Sequence, residues 1–439
     1  MGDTLEDCVP LRLAFDGMDE HLERDSPRPL VIAVSGGGDS LFLLLAAKAW
    51  ADTAKRRIVA VTVDHELHPD SPTWALWCRE RAQRLGVKHH TLLWEGAKPA
   101  TGLPAAARAA RHGLLADWAR SAGAVAILMG HTADDGLEAR QMRATGASTP
   151  EARTWSPSPV WPAGRDVFIL RPLLRVRRAQ IRAALKSVGE CWVEDPSNAD
   201  MKYARARARW KLEHGLADCV ELPSPMQAPL ARQLLQEVVA DEAGGLTIPR
   251  EALVTATSDA ARTFLGAALL CVGGQDRPPR RTTLGRLLER LTGANVFSAT
   301  LAGARVDADQ DRITLIREAG EMVRTGRRLE VGLPQRRGVS WDGRFEIEAR
   351  ASGLRVLRLA GLACRLSSTE HQHLRRFAPA ARRTLPAIVD GSGLVFCPIL
   401  AGDERVEIRP LVFARLAAAC GALVDEGAAR RMAQRALTS

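Results

Sequence analysis

Paired cysteines are missing from this chain. Its eight cysteines (Cys8, Cys78, Cys191, Cys219, Cys271, Cys364, Cys397 and Cys420) are scattered over 439 residues without one Cys-x-x-Cys pair. That argues against a zinc knuckle and against a disulfide framework, and reads most of them as buried thiols. Also missing are a run of roughly 18 apolar residues and, in the first 25 positions, the apolar core of a signal peptide. The expectation is a soluble, cytoplasmic protein with no membrane span. No Gly-Lys dipeptide occurs, so the Walker A phosphate loop is excluded. Charge is not balanced: 61 Lys and Arg face 51 Asp and Glu, a net +10. Such an excess suits a polyanionic partner. Much of it is local, because residues 321–383 hold fourteen Arg and six acids.

What is present is organised around Leu30-Val-Ile-Ala-Val-Ser-Gly-Gly-Gly-Asp-Ser-Leu. Five apolar residues predict a buried parallel strand, and three glycines a tight turn. Asp39 and Ser40 then open an apolar helix over 39–55. Glycines present bare N–H groups and the helix start adds about half a positive charge, so an anion fits there, phosphate first. The dinucleotide pattern G-x-G-x-x-G fails, since its third glycine falls on Leu41.

Ser35-Gly36-Gly37-Gly38-Asp39-Ser40 resembles the SGGxDS loop of the PP-loop, or N-type, ATP pyrophosphatases, which split ATP between its α and β phosphates. A second strand, Ile58–Val63, ends in Asp64-His65, which face the site if the strand is parallel; capping of the next loop explains His65 equally well. Helix 73–85, strand 89–94 and helix 103–121 follow. The last carries Arg108 and Arg111 one turn apart, a spacing that serves a phosphate clamp or a solvated face alike. Strand 124–129 leads into Gly130-His131-Thr132-Ala133-Asp134-Asp135, with Glu138 and Arg143 on the next helix.

That stretch resembles the HTADDxxET motif of the tRNA(Ile)-lysidine synthetases, departing from it at Gly136 and Ala139. Arg171-Pro-Leu-Leu174, then Glu194-Asp-Pro-Ser-Asn198, then Tyr203-x-Arg205-x-Arg207 follow in the same family's order, with Ala206 in place of its usual Asn. The resemblance runs from about Leu30 to Arg209. Residues 145–166 show no periodicity and are expected to form a mobile loop. Residues 175–209 hold nine Lys or Arg against four acids, and helical spacing puts Arg205 and Arg209 on one face with Arg207 turned away.

The resemblance implies ATP on Ser35, Gly36, Gly37, Gly38, Asp39, Ser40, Asp64 and His131. It implies chemistry at Asp39, Asp134, Asp135 and Arg205, and Mg²⁺ on Asp39 and Asp135. Substrate and tRNA contacts fall to Arg108, Arg111, Glu138, Arg171, Asp195, Asn198 and Arg207. The implied reaction joins L-lysine to C2 of the wobble cytidine of tRNA(Ile) bearing a CAU anticodon. A homodimer is also implied.

The expected fold class is α/β: a Rossmann-like parallel-sheet catalytic domain (28–215) behind a lead-in (1–27). A mainly helical middle domain with a hairpin (216–326) and a small basic α+β domain that binds tRNA (327–439) complete it. In the middle domain, 223–291 reads as helical and 300–306 as one strand paired with 312–316. Two alternatives stay open: a PP-loop enzyme adenylating another tRNA base or small substrate, and a non-catalytic tRNA-binding relative.

Overall fold

The computed structural model describes residues 8–147, 149, 151–195, 200–202, 204–214, 229–293, 295–324 and 329–438. The chain divides into two compact units, Met1–Gln227 with Val424–Arg430, and Ala228–Leu423 with Arg431–Ser439.

In the first unit, helix α1 (Val9–His21) precedes strand β1 (Leu30–Ala33), whose Leu30, Val31 and Ile32 are fully buried. An uninterrupted apolar run is what a strand covered on both faces requires. Helix α2 (Gly38–Thr53), β2 (Ile58–Asp64), α3 (Ser71–Arg84), β3 (Lys88–Leu93), α4 (Leu103–Ser121), β4 (Ala126–Leu128) and α5 (Ala133–Ala144) follow. Then come β5 (Trp155–Pro157), β6 (Phe168–Leu170), α6 (Arg178–Ser187) and α7 (Ala204–Glu213). The sheet order is β3-β2-β1-β4-β6-β5, parallel except for the β5–β6 pair at the edge.

Register aligns Val59, Val31, Ile127 and Ile169 across four strands. Alternation puts this row on one face, where it packs with Leu115, Ala116 and Ala119 of α4. The chain winds outward from β1 to β3, then returns to place β4 on the other side of β1. Strand order therefore reverses between β1 and β4, the place where open α/β sheets leave a crevice at the carboxyl ends of their strands.

Two segments remote from the sheet complete this unit. Ala14 and Met18 of α1 are fully buried, and Asp19 accepts a 2.8 Å hydrogen bond from the Trp50 indole of α2. Residues 424–430 supply Glu426, which accepts from Arg56 at 2.9 and 3.2 Å with both side chains shut off from solvent.

The expected mobile loop at 145–166 needs correction, because it contains β5. Trp155 is buried and stacks on Phe168 with ring centroids 5.0 Å apart. Three residues are too few to show a period, and Pro157 is tolerated because β5 is an edge strand.

The second unit has the expected α+β character with more strand than the helical pattern suggested. Strands β7 (Val239–Ala240), β8 (Leu246–Pro249), β9 (Phe297–Leu301), β10 (Ala304–Ala308) and β11 (Arg312–Arg317) form one antiparallel sheet, ordered β7-β8-β11-β10-β9. Residues 223–291 are thus not purely helical; those before Pro229 lie outside the described residues. The single strand expected over 300–306 is two strands, folded at Ala302-Gly303, both with positive φ (50° and 77°) as a tight hairpin turn requires. Beyond residue 329 lie a four-stranded sheet (Val331–Gly332, Arg355–Arg358, Pro386–Val389, Val395–Phe396) and a three-stranded one (Val339–Trp341, Phe345–Ala349, Val406–Pro410). Arg317 and Arg344 converge there on buried Asp342 at 3.0 and 2.7 Å.

One glycine fixes the crevice. A Cβ on Gly130, just past β4, would lie 2.9 Å from the carbonyl oxygen of Asp39 and 3.1 Å from the Ser40 nitrogen. Both obstacles are backbone, so neither yields by a rotamer change. Gly130→Ala is expected to destabilise the chain by about 1–3 kcal/mol as an overpacked site and to weaken ATP binding; urea unfolding and ATP titration check both.

Candidate active site

The loop after β1 makes a closed turn. Gly36 takes φ 87°, a conformation that a side chain disfavours, and its carbonyl accepts from the Val193 amide at 3.0 Å. Ser40 Oγ accepts from the Ser35 amide and hydroxyl, each at 3.2 Å, and donates to the Gly37 carbonyl at 2.9 Å. Two serines flanking the glycines thereby pin the loop, while the N–H groups at the start of α2 are left for an anion.

The loop after β4 faces it. Thr132 and Asp135 form a capping box on α5: the Thr132 amide and hydroxyl donate to Asp135 Oδ2 at 2.6 and 2.9 Å. The other oxygen, Oδ1, accepts from Arg205 at 2.9 Å. One turn on, Glu138 is 1% exposed and takes three guanidiniums, from Arg178 (3.1 Å), Arg205 (2.9 Å) and Arg209 (2.7 Å). Arg178 also reaches Asp39 of the glycine loop at 3.1 Å and approaches Asp135 at 3.6 Å. Both Asp134 oxygens are engaged by α6, through the Arg178 amide (2.7 Å) and the Arg177 guanidinium (2.9 Å).

These contacts set the protonation states. Burial raises the Asp39 carboxyl above its usual range, and Arg178 opposes that shift. Burial works against the Arg178 charge, but Asp135, Glu138 and Asp39 together hold it more firmly protonated than an ordinary arginine.

Beside the carboxylates lies a buried basic cluster. Burial, then the charges of Arg108 and Arg205, bring Arg111 down to about 10. Burial, then Arg108 and Arg111, bring Arg171 to about 10; Arg171 donates to the Arg153 carbonyl and Ser156 Oγ, both at 2.9 Å. Arg108 is lowered for the same reasons. His112 falls to about 2, and His131 well below its ordinary value, first through burial and then through these arginines. The Arg111 Nε, both His112 nitrogens and His131 Nδ1 are buried without a hydrogen-bond partner. Orphaned polar atoms among crowded cations fit a polyanion, here the phosphates of a nucleotide.

The carboxylates also fit Mg²⁺. Among the described residues no three His, Cys, Asp or Glu are grouped as a metal cage. Mg²⁺ on a nucleotide, however, needs only one or two carboxylates, the remaining positions going to phosphate and water. Asp39 and Asp135, joined through Arg178, offer that pair.

Of the residues singled out in the sequence, the structure gathers Ser35 to Ser40, Asp134, Asp135, Glu138, Arg205, Arg108, Arg111, Arg171 and His131 at one crevice. Asp64 ends β2 and accepts from the Glu66 amide at 2.8 Å. Arg207 points away and donates to the Met201 and Lys202 carbonyls. Asp195 is half-buried, and Asn198 lies outside the described residues. Arg209, read from helical spacing as sharing a face with Arg205, joins it at Glu138; Arg177, Arg178 and His112 were missed. The doublet Arg177-Arg178 carried a signal, since cations at a helix start oppose its dipole and call for anions nearby.

Comparison with known proteins gives the family. The PP-loop domain family matches residues 15–216. The tRNA(Ile)-lysidine synthase of Caulobacter vibrioides is 43% identical over 417 residues, covering 93% of this chain and 97% of the relative. This chain belongs to the tRNA(Ile)-lysidine synthase family. The enzyme of that name from Hyphomonas neptunium is 36% identical over 309 residues, 67% of this chain and 83% of its own. Among solved structures, the U34-tRNA thiolase NcsA of Methanococcus maripaludis is 12% identical with a TM-score of 0.38, covering 47% of this chain and 72% of that one. The PP-loop domain match spans both the glycine loop and Glu138.

Two outcomes follow from the charges. Glu138→Gln leaves three guanidiniums short of a carboxylate; a loss of about 3 kcal/mol is expected, the low end for breaking a buried pair because Arg205 is 41% exposed. Urea midpoints check it. His112 is held neutral in the fold at about 2, while unfolded histidine takes a proton near 6.5. The unfolded chain therefore binds more protons below pH 6.5, and stability falls as pH drops. For His112→Leu the slope of unfolding free energy between pH 6 and 4 should shrink by about 1.4 kcal/mol per pH unit; an unchanged slope contradicts the assignment.

Proposed function

We propose that this chain joins L-lysine to C2 of the wobble cytidine of tRNA(Ile) with a CAU anticodon, consuming ATP and releasing pyrophosphate and AMP. One observation carries the reading. The glycine loop and the Asp135/Glu138 helix start meet at the switch point of one sheet, in a chain that spans 97% of a lysidine synthase relative.

The reaction runs in two displacements. The C2 carbonyl oxygen of the cytidine attacks the α phosphorus of ATP, and the bond to the β-phosphate oxygen breaks. The lysine ε-amine, having lost a proton, then attacks C2, and the C2–O bond breaks as AMP leaves. Loop N–H groups at the start of α2 hold the departing pyrophosphate. Arg108, Arg111 and Arg171 neutralise phosphate charge, and neutral His131 donates or accepts a hydrogen bond there. Asp135, whose Oδ1 faces Arg205, attracts the lysine ammonium and accepts its proton, while buried Glu138 holds the three guanidiniums around it in place. Asp134 holds α6 in place. Mg²⁺ bound by Asp39 and Asp135 would screen the phosphates and polarise the α-phosphoryl group.

The target base must leave its stack, so the anticodon loop has to reach this crevice. The remaining tRNA contacts we assign to 327–439, the arginine-rich part, with 216–326 as a separate middle domain. No helix among the described residues is long and apolar enough to cross a membrane. We place the protein in the cytoplasm with its tRNA, as a homodimer.

The test is pyrophosphate and AMP release from ATP, with and without lysine, on isoleucine and methionine tRNA transcripts that share the CAU anticodon. AMP release that needs lysine and occurs on the isoleucine transcript alone is expected. Equal turnover without lysine sends the assignment to another PP-loop substrate.

A further inference from the structure

Helix α7 has two unlike faces. Arg205 and Arg209, four residues apart, enter the carboxylate lattice, and Ala206 and Ala208 are buried. Opposite them, Arg207, Trp210, Lys211 and His214 fall at i, i+3, i+4 and i+7, a single stripe. Trp210 is 42% exposed, unusual for so large an apolar group, and its ring stacks on His214 at 4.3 Å and 26°. His214 Nδ1 is 2.8 Å from the Trp210 carbonyl, which fixes that stack. Arg207 braces the backbone of Met201 and Lys202 at 2.8 and 2.7 Å, and Met201 is itself 46% exposed. Among the described residues, neither Arg207 nor Lys211 pairs with a carboxylate. The helix's one acid, Glu213, sits on the Arg209 row.

A rigid indole flanked by two uncompensated cations has the composition of a nucleobase platform. Unpaired bases stack on aromatic rings while Arg and Lys meet the phosphates on either side. An apolar protein partner would cover the indole but leave these cations without counter-charge, whereas an RNA strand supplies both a stacking base and phosphates. Position narrows the occupant further. The stripe is about one helix width, roughly 10 Å, from the carboxylate lattice, within reach of nucleotides next to the reacting one.

We propose that Trp210 is a stacking platform for an unpaired base flanking the modified cytidine, with Arg207 and Lys211 on the adjoining phosphates. The proposal rests on the tRNA-modifying function above and adds to it the surface that holds the strand. Trp210 would act as a positioning residue: it holds the strand that presents the cytidine and touches no reacting atom.

The experiment measures tRNA(Ile) binding to the full chain for the parent, Trp210→Ala, Trp210→Phe and Arg207→Ala. It uses intact transcripts and transcripts with an abasic site on the 5′ or 3′ side of the reacting cytidine. ATP affinity serves as the folding control. Trp210→Ala should raise the tRNA dissociation constant about 5- to 100-fold at unchanged ATP affinity, and Trp210→Phe should restore most of the loss. On one of the two abasic transcripts the parent should bind as weakly as Trp210→Ala, which should lose nothing more. Arg207→Ala should reduce the slope of log affinity against log salt by about one. The proposal is overturned if Trp210→Ala binds intact tRNA like the parent, or if its loss simply multiplies with both abasic losses. Failure of the functional reading looks different, because the parent itself then shows no lysine-dependent AMP release on tRNA.

Discussion

The Arg178 guanidinium is the constraint on which the site depends. It stands at the first turn of α6, where the helix dipole disfavours a cation, and it is held there by Asp39 from one strand's loop and Glu138 from another's helix. Without it, burial and mutual repulsion would work against Asp39, Asp135 and Glu138 carrying charge side by side. Without them, its charge would be buried unpaired. Each group makes the others tolerable, so the three elements α2, α5 and α6 are fixed relative to one another by electrostatics as much as by packing.

The lattice also explains why α7 is where it is. Arg205 and Arg209 reach Glu138 from one face of that helix, adding positive charge to a centre already occupied by Arg178. Arg178, Arg205 and Arg209 match Asp39, Asp135 and Glu138 in number, so the lattice neutralises itself. The positive charge that calls for further anions lies beside it, in Arg108, Arg111 and Arg171 with the unpartnered nitrogens of His112 and His131.

How much of this could be read from the residues depended on the range of the interaction. The β1 run and its glycine loop were legible because strand, turn and helix are local events, and α2 spans Gly38–Thr53 against an expected 39–55. Helical spacing alone put Arg205 and Arg209 together and Arg207 away, as the hydrogen bonds have it. Arg178 was not read, since its partners lie 139 and 40 residues off and a basic helix start resembles an ordinary solvated end. Pairing of Arg56 with Glu426, 370 residues apart, has no local trace at all. The hairpin at Ala302-Gly303 was missed for another reason: small apolar residues continue the strand pattern through the turn, and only the positive φ angles mark it.

Charge in the crevice is separated rather than merely abundant. Asp39, Asp135 and Glu138 gather at the mouths of α2 and α5, while Arg108, Arg111 and Arg171 form a cluster in which Asp135 is the acid that offsets them. A triphosphate and an amino acid with a free ammonium carry opposite charges, so a divided site orients them against each other before any bond changes. Burial sharpens the division because opposing charges are screened less there than in water. His112 and His131 stay neutral for the same reason that the arginines hold their protons less firmly: both are short of water and crowded by positive charge. In the proposed reaction that neutrality matters, since an imidazole without charge can hydrogen-bond a phosphate or ribose oxygen without competing with the ammonium for the carboxylates.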